Sequence, residues 1–232
     1  MITVATWNVL HRVHAENWRG EERWPEEAER IAGVTALVAA RAETVIALQE
    51  VSGDQLASLR EALPERDIHM LRYPRIPRLR RGVAELDDIA EHLVLVVDRP
   101  SRLLSAEAFA NDPGNGALAV QVGGLLVIAT HVTGDRRRTE QFAQLAKLAD
   151  SSPVVLLGDF NADRETVLRG LGEGFTGAEL PAGSPPTRPR LSGSKSQVID
   201  HVIVRGASPS AATVVPTPGL SDHNLIHAAL TL

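Results

Sequence analysis

Residues 154–161 read Val154-Val155-Leu156-Leu157-Gly158-Asp159-Phe160-Asn161, and this stretch decides the fold and places the chemistry. Its apolar run predicts a buried strand over residues 153–158. Gly158 permits a tight turn after the strand, and Asp159 and Asn161, two residues apart, can point to one side of an extended segment. The pair is therefore a candidate catalytic site. The alternative is an Asx turn that caps the strand, which these residue types often form.

The same arrangement, an apolar run that ends in a polar residue, recurs along the chain. Further strands are predicted over residues 2–8, 44–49, 93–97, 117–122, 125–131, 198–204 and 225–232. The polar residues at or beside their ends are Asn8, Glu50, His131, Asp222 and His223. Strand ends that open into loops are where a rigid scaffold presents reactive groups, so we expect these side chains to meet.

Helices are predicted over residues 25–41, 54–63 and 136–150, where apolar side chains recur with helical spacing. Gly123-Gly124 lies between two apolar runs and predicts a hairpin of two antiparallel strands. A mixture of helices, hairpins and other strands favours an α/β sandwich over a purely parallel sheet.

Composition narrows the class of protein. The 232 residues, 44% of them hydrophobic, fit one large domain, and we predict a single domain over residues 1–232. The net charge of −5 provides no overall positive field for nucleic acid, and the absence of Cys excludes thiol chemistry and thiolate metal sites. Residues 2–7 read as a strand with no signal segment before it, and no apolar run is long enough to cross a membrane, so we expect a cytoplasmic protein.

The oxygen-rich candidates suit a hard divalent cation. Glu50 and Asp222 can supply carboxylates, and Asn8 can add a neutral oxygen or hold a water. Zn²⁺ is less favoured, because there is no Cys and no His pair with the spacing of a zinc helix. The alternative for each carboxylate alone is an ordinary solvated side chain.

A histidine and a carboxylate are predicted to act together. Asp200 can bind one ring nitrogen of His223, which would fix the tautomer and stabilise the imidazolium. His201, inside an apolar strand, is interpreted as structural. His92 could approach the site, although a lone histidine at the start of a strand is more often structural. His11 and His14 follow Asn8 closely and could reach a substrate from a loop, although solvated loop positions are the commoner case.

Taken together, these motifs resemble the endonuclease/exonuclease/phosphatase superfamily. The resemblance runs in order through Thr6-Trp7-Asn8-Val9-Leu10, Ala47-Leu48-Gln49-Glu50-Val51, Ala129-Thr130-His131, Arg138 with Gln141, Gly158-Asp159-Phe160-Asn161-Ala162, Ile199-Asp200-His201-Val202 and Ser221-Asp222-His223. It implies a DNase I-like four-layer α/β/β/α sandwich with two mixed, mainly antiparallel sheets. The strand near residues 92–97 departs from the family, since it lacks the usual Gly and the Ser-Arg end.

The resemblance also implies a role for each residue. Glu50 would be the principal ligand of Mg²⁺ or Mn²⁺, assisted by Asn8 and Asp222. Asp159 and Asn161 would orient the attacking water and bind the phosphate, together with Asn8. His131 would donate to a non-bridging phosphate oxygen. His223, polarised by Asp200, would be the general base or a charged stabiliser of the transition state.

The substrate is left open between several classes. The loop over residues 72–82 carries five Arg; Arg78 and Arg81 are predicted to bind a polyanion, and the alternative is a solvated basic loop. A second loop is predicted over residues 181–197. Nuclease-like phosphodiester cleavage is slightly favoured. The alternatives are a phosphomonoesterase acting on a small metabolite or nucleotide, and a catalytically silent binding module. Oligomeric state is not determined by the sequence, and a monomer is the default.

Overall fold

The computed structural model describes residues 1–17, 24–82, 85–150, 153–190 and 195–232. Two β-sheets carry most of this structure. The first sheet contains β1 (Ile2–Asn8), β2 (Val45–Ser52), β3 (Asp67–Arg72), β4 (Glu91–Val97), β11 (Ser208–Pro209), β12 (Thr213–Val215) and β13 (Leu225–Thr231). The second contains β5 (Ser101–Phe109), β6 (Asp112–Val122), β7 (Leu125–His131), β8 (Val154–Asp159), β9 (Thr176–Gly177) and β10 (Asp200–Arg205).

Each sheet is mainly antiparallel but has one parallel pair at its centre. The order in the first sheet is β11-β13-β1-β2-β4-β3, with β12 also paired to β13, and β1 runs parallel to β2. The order in the second sheet is β5-β6-β7-β8-β10-β9, and β7 runs parallel to β8. Each of these four central strands has a predicted polar residue at or near its carboxyl end: Asn8 in β1, Glu50 in β2, His131 in β7 and Asp159 in β8.

The helices are α1 (Arg12–Asn17), α2 (Glu27–Ala39), α3 (Gly53–Ala62), α4 (Arg138–Leu148) and α5 (Arg164–Leu171). Helices α2 and α3 pack on the outer face of the first sheet and α4 and α5 on that of the second, whereas the short α1 follows β1 closely. Val34 and Val38 of α2 are buried against the outer face of the first sheet, and Phe142 of α4 is buried against the second. A third apolar cluster, which includes Val4 and Val127, fills the space between the two sheets. The result is the four-layer α/β/β/α sandwich.

The predicted strands and helices are confirmed, with ends that shift by a few residues. The Gly123-Gly124 hairpin joins β6 to β7. Four elements of six or more residues were not predicted, namely α1, β3, β5 and α5, and α1 places His14 in a helix rather than in the predicted loop. No helix in the described part of the chain is long and apolar enough to cross a membrane. Residues 191–194 of the predicted loop over 181–197 lie outside the described residues.

Candidate active site

The central strands deliver their polar ends to one place between the sheets. Asn8 is the last residue of β1 and Asp159 the last of β8, and Asn8 Nδ2 donates to Asp159 Oδ2 at 3.2 Å across the two sheets. His131 ends β7 opposite Asp159. Asp200 begins β10, also opposite Asp159, because β10 runs antiparallel to β8. The topology thus brings together residues that lie far apart along the chain, from Asn8 to Asp200.

Glu50 lies in an irregular part of β2. The sequence predicted that the strand would end before Glu50, but β2 continues to Ser52, and its pairing with β4 shifts register between Leu48 and Val51. Glu50 has a φ of 58°, a left-handed conformation that is uncommon for a residue other than glycine. Such a bulge redirects a side chain out of the regular alternation of a strand. Here it turns the carboxylate of Glu50 toward Asn8.

The Glu50 carboxylate is held by two donors. Asn8 Nδ2 donates to Oε1 at 2.9 Å, and the backbone amide of His11 donates to Oε2 at 3.0 Å. Burial would raise the pKa of Glu50, but the positive charges of His14 and His131 and these two hydrogen bonds outweigh it. The pKa of Glu50 therefore lies well below its usual range, and the side chain is an anion at any physiological pH.

The amide of Asn8 joins two carboxylates through its nitrogen. Nδ2 faces both Glu50 and Asp159, while Oδ1 accepts from the backbone amide of Leu10 at 3.0 Å. In this arrangement the oxygen of Asn8 is turned away from Glu50. A direct bond from that oxygen to a cation beside Glu50 would require the amide to rotate, so the present geometry fits Asn8 as a holder of Glu50 better than as a ligand itself.

The turn after β8 fixes Asp159 and Asn161. The backbone amide of Asn161 donates to Asp159 Oδ1 at 2.8 Å, which is the Asx turn that the sequence allowed as an alternative. Asn161 has a φ of 48°, and its Nδ2 donates to the carbonyl of Val132 at 2.9 Å. Arg138 of α4 donates to the carbonyl of Asn161 at 2.9 Å. The turn therefore coexists with the predicted site rather than replacing it.

His223 and Asp200 form a buried pair. The Nδ1 atom of His223 lies 3.0 and 3.1 Å from the two carboxylate oxygens of Asp200. Its Nε2 faces Asp159 Oδ2 at 3.8 Å. Burial alone would lower the pKa of His223, but the negative charge and hydrogen bond of Asp200, with Asp159 and Asp222 nearby, raise the pKa to about 9.

Two main-chain contacts orient His223. Trp7 Nε1 and Thr217 Oγ1 both donate to its carbonyl, at 2.9 and 2.7 Å. Ser221 Oγ donates to the carbonyl of Asn8 at 2.6 Å, which ties the segment before β13 to the end of β1.

Burial, reinforced by the charge of Asp200, raises the pKa of Asp159, whereas the charges of His223 and His131 oppose that rise.

Asp222 has two unlike oxygens. Oδ2 accepts from Arg188 Nε and Nη2 at 2.9 and 2.8 Å and from Arg190 Nη1 at 3.3 Å. Oδ1 is buried, makes no hydrogen bond within the described structure, and lies 3.8 Å from His223 Nε2. The two arginines were not predicted as site residues. Their loop was recognised only as rich in Pro, Ser, Gly and Arg, and no local signal pairs them with Asp222.

His131 is the remaining predicted residue of the centre. Its Nε2 lies 3.7 Å from Asp159 Oδ2, and Asn115 Nδ2 donates to its carbonyl at 3.1 Å. His201 Nε2 bonds the carbonyl of Ala162 at 2.8 Å, and His92 Nδ1 lies 3.3 Å from the carbonyl of Val51, so the structural interpretation of both holds. Arg78 and Arg81 lie on an exposed loop outside this cluster.

One cluster in the described part of the chain brings three potential metal ligands together, since Asp159, Asp200 and His223 offer ligand atoms within 4.8 Å of one another. However, Asp200 and His223 Nδ1 already satisfy each other through their hydrogen bonds. Glu50 is anionic, and Oδ1 of Asp222 makes no hydrogen bond within the described structure. Hard cations prefer such carboxylate oxygens to imidazole, so the chemistry of Glu50 and Asp222 suits a divalent cation.

A DNase I-like sandwich with this carboxylate and histidine centre defines a class, the metal-dependent phosphoesterases. The sequence model described as "Endonuclease/Exonuclease/phosphatase family" matches residues 5–223. The chain belongs to this family, whose members are metal-dependent phosphodiesterases or phosphatases. It is accordingly an enzyme that hydrolyses phosphate esters with a divalent metal. No curated protein sequence matches the chain.

Solved structures show the same fold. Humanized D. rerio TDP2 is 16% identical, with a TM-score of 0.71 over 100% of this chain and 99% of that one. D. rerio TDP2 complexed with single strand DNA product is 15% identical, with a TM-score of 0.71 over 100% and 99%. An endonuclease/exonuclease/phosphatase from Beutenbergia cavernae is 20% identical, with a TM-score of 0.72 over 100% of this chain and 71% of that one.

Proposed function

We propose that the chain is a phosphodiesterase of the nuclease type, in which water attacks phosphorus in line with the leaving oxygen. One observation carries this proposal. A continuous series of contacts links Glu50 to Asn8, Asn8 to Asp159, Asp159 to His223 and His223 to Asp200 across the two sheets. This series joins the anionic carboxylate of Glu50, the buried carboxylate of Asp159 and the charged imidazole of His223 in one connected cluster.

We assign Glu50 as the principal metal ligand and Asp222 as the second, with Asn8 fixing the Glu50 carboxylate. The cation proposed is Mg²⁺ or Mn²⁺, because the oxygens offered are those of a hard-metal site. When bound, such a cation polarises the phosphoryl group and offsets charge on the leaving oxygen. Arg188 and Arg190 hold Asp222 from behind, which leaves Oδ1 directed at the centre.

The remaining residues act on water and phosphate. Asp159, whose pKa is raised by burial and by Asp200, is suited to accept a proton from the attacking water. Asn161, held by Val132, orients that water and the phosphate. His131 donates to a non-bridging oxygen. His223 is charged at neutral pH, since its pKa is about 9, and this favours the stabilising role over that of a general base.

Three substitutions test this centre. Glu50→Ala, Asp159→Asn and His223→Ala should each lower kcat by about a hundredfold to ten-thousandfold, the usual range for one such group. The measurement is Mg²⁺- or Mn²⁺-dependent release of nitrophenol from bis(p-nitrophenyl) phosphate, with circular dichroism to confirm folding. His201→Gln is the matched control, because the ring of His201 bonds the carbonyl of Ala162 and packs beside Phe160. Near-wild-type turnover in any two of the three variants would remove the mechanism.

A phosphomonoesterase is the second candidate. The acidic net charge of −5 and the aromatic content of 3% favour a small substrate over a base-stacking nuclease groove. The neighbouring D. rerio TDP2 structure, which holds single strand DNA product, supports the diester instead. Comparing the bis- and mono-nitrophenyl esters separates the two, since a diesterase should prefer the first by more than about tenfold in kcat/KM. A cytoplasmic location stays a prediction.

A further inference from the structure

The arginine loop, residues 73–82, leaves β3 at the same edge as the catalytic centre. β2 and β3 both pair antiparallel with β4, so they run in the same direction. Their carboxyl ends therefore lie at the same edge of the sheet, with β4 between them. His92 of β4 is opposite both Val51 and Arg72. The backbone amide of Tyr73 then donates to the carbonyl of Glu91 at 2.9 Å. The loop therefore starts within one strand of the Glu50 bulge.

Helix α1 fixes the loop in place. Asn17 Nδ2 donates to the carbonyl of Arg78 at 2.8 Å, and Asn17 Oδ1 accepts from the backbone amide of Arg80 at 2.8 Å. These two hydrogen bonds to the main chain hold the loop at Arg78 and Arg80 without using the side chains of these two arginines. Through His14, whose Nε2 lies 3.0 Å from Glu91 Oε2, the same helix reaches back toward the centre.

A pocket of about 540 Å³ lies between this loop and α1. Its lining residues are His14, Asn17, Pro74, Arg75, Ile76, Pro77 and Arg78. Arg75 is anchored by Asp112, from Nη1 to Oδ1 at 3.1 Å, yet 47% of its side chain is exposed. Its guanidinium also lies beside Gly114. The ion pair with Asp112 therefore positions Arg75 at the pocket while about half of its side chain stays exposed.

A second pocket, of about 490 Å³, continues the first. It is lined by Glu16, Asn17, Arg80 and Arg81, so the two pockets share Asn17. The negative charge of Glu16 is already paired with Arg12, four residues earlier, at 2.6 Å. The loop therefore presents Arg75, Arg78, Arg80 and Arg81 along two adjoining pockets, as a row of positive charge on a protein whose net charge is −5.

We infer that this row binds the phosphates of a nucleic acid single strand that continues beyond the scissile phosphate. The inference rests on the proposed function and adds the substrate class. A single phosphate needs one arginine fork, whereas a row of arginines across two pockets matches a chain of phosphates. Tyr73, the one Tyr of the chain, is 2% exposed and offers no face for stacking a base. The row of arginines instead favours recognition of the phosphate backbone, which is tolerant of sequence.

The test is binding, measured without catalysis. A short fluorescein-labelled thymidine strand is titrated with the full chain in EDTA and low salt, and anisotropy is recorded. Arg78→Glu should weaken binding by about tenfold or more, since it removes one charge-assisted contact and adds repulsion. Arg78→Ala should have a smaller effect. Arg102→Ala, an exposed arginine on β5, is the matched control and should bind as the wild type does.

Competition distinguishes the sources of phosphate. Unlabelled strand should displace the probe at lower phosphate concentration than thymidine monophosphate or inositol hexakisphosphate. Wild-type binding of Arg78→Glu, absence of strand binding, or equal displacement by inositol hexakisphosphate would each overturn the inference. Because EDTA is present, these outcomes are independent of hydrolysis. Failure of the proposed function has a different signature, namely no metal-dependent release of nitrophenol by the wild-type chain.

Discussion

The arginine loop, residues 73–82, and the loop over residues 181–197 both contain Pro and Arg, but their arginines make different contacts. In the second loop, Arg188 and Arg190 turn inward to Asp222, and only 21% and 16% of their side chains are exposed. In the first loop, Arg78 lies at the surface. The two loops differ in what their arginines contact. Arg188 and Arg190 bind the carboxylate of Asp222 beside the centre and support it. Arg75 pairs with the buried Asp112 but keeps 47% of its side chain exposed, and Arg78 faces the solvent and any ligand there.

Substitution of Arg188, which binds Asp222, should lower activity more than substitution of Arg78 in the arginine loop. Arg188→Ala removes two of the donors to Asp222 Oδ2 and leaves a nearly buried carboxylate poorly compensated. Loss of a group that orients a metal ligand typically costs about 10- to 100-fold in metal affinity or activity, so we expect Arg188→Ala to lower kcat/KM by up to about a hundredfold. The assay is hydrolysis of bis(p-nitrophenyl) phosphate. Arg188→Lys should recover only part of the activity, because Lys lacks the planar fork. Unchanged kcat/KM in Arg188→Ala would show that Asp222 needs no support.

The two loops should also differ in how strongly salt affects the property that depends on each of them. If the arginine loop contacts two phosphates, the logarithm of the strand affinity should fall against the logarithm of salt with a slope of about −1.4. The Arg78→Glu variant should have a shallower slope. The Asp222 pairs are mostly buried and are screened less, so hydrolysis of the small diester should vary less with salt. Equal salt dependence of the two measurements would remove the distinction between the loops.

The smallest effect concerns His14, which lies between the arginine loop and Glu50. Burial lowers the pKa of His14, but the charge of Glu50 and the hydrogen bond with Glu91 outweigh it and raise the pKa to about 9. Since the folded pKa is above the unfolded value, the stabilisation is complete below about pH 6.5 and is lost as the pH rises through 9.

The corresponding measurement is thermal unfolding of His14→Gln at two pH values. The pair is partly exposed, so the variant should lower Tm by about 2 °C at pH 6. The difference from the wild type should shrink at pH 10. A difference that stays constant or grows with pH would contradict the sign of the shift.

The sequence predicted the central strands well because their signals are local. Each has an apolar run followed by a polar residue or a turn, as in Val154–Asp159. The missed strand β5 is largely exposed and shows Leu103 and Leu104 to solvent, so it lacks the pattern of a buried strand. Helix α5 did carry a signal. Asp163 caps it by accepting from the backbone amide of Thr166 at 2.9 Å, an Asp three residues before a Thr that could have been recognised.

The candidate site also contains some residues that local sequence motifs predict and others that only the tertiary contacts reveal. The family motifs located Glu50, Asp159 and His223, and the pairing of His223 with Asp200 follows from chemistry once both are suspected. The bulge that aims Glu50 and the arginines behind Asp222 were not foreseen. Both depend on contacts between distant segments, such as Arg188 with Asp222, and no spacing along the chain encodes them.

Strand β13 closes the first sheet by pairing with β1, from Ile2 with Leu230 to Thr6 with Ile226. His223 comes just before β13, so it reaches the centre only when these two ends of the sequence have met. Pairing between segments so far apart along the chain slows folding. Any change that opens the β1–β13 pairing should therefore displace His223 from Asp200 and remove hydrolysis, even where the rest of the sandwich keeps its structure.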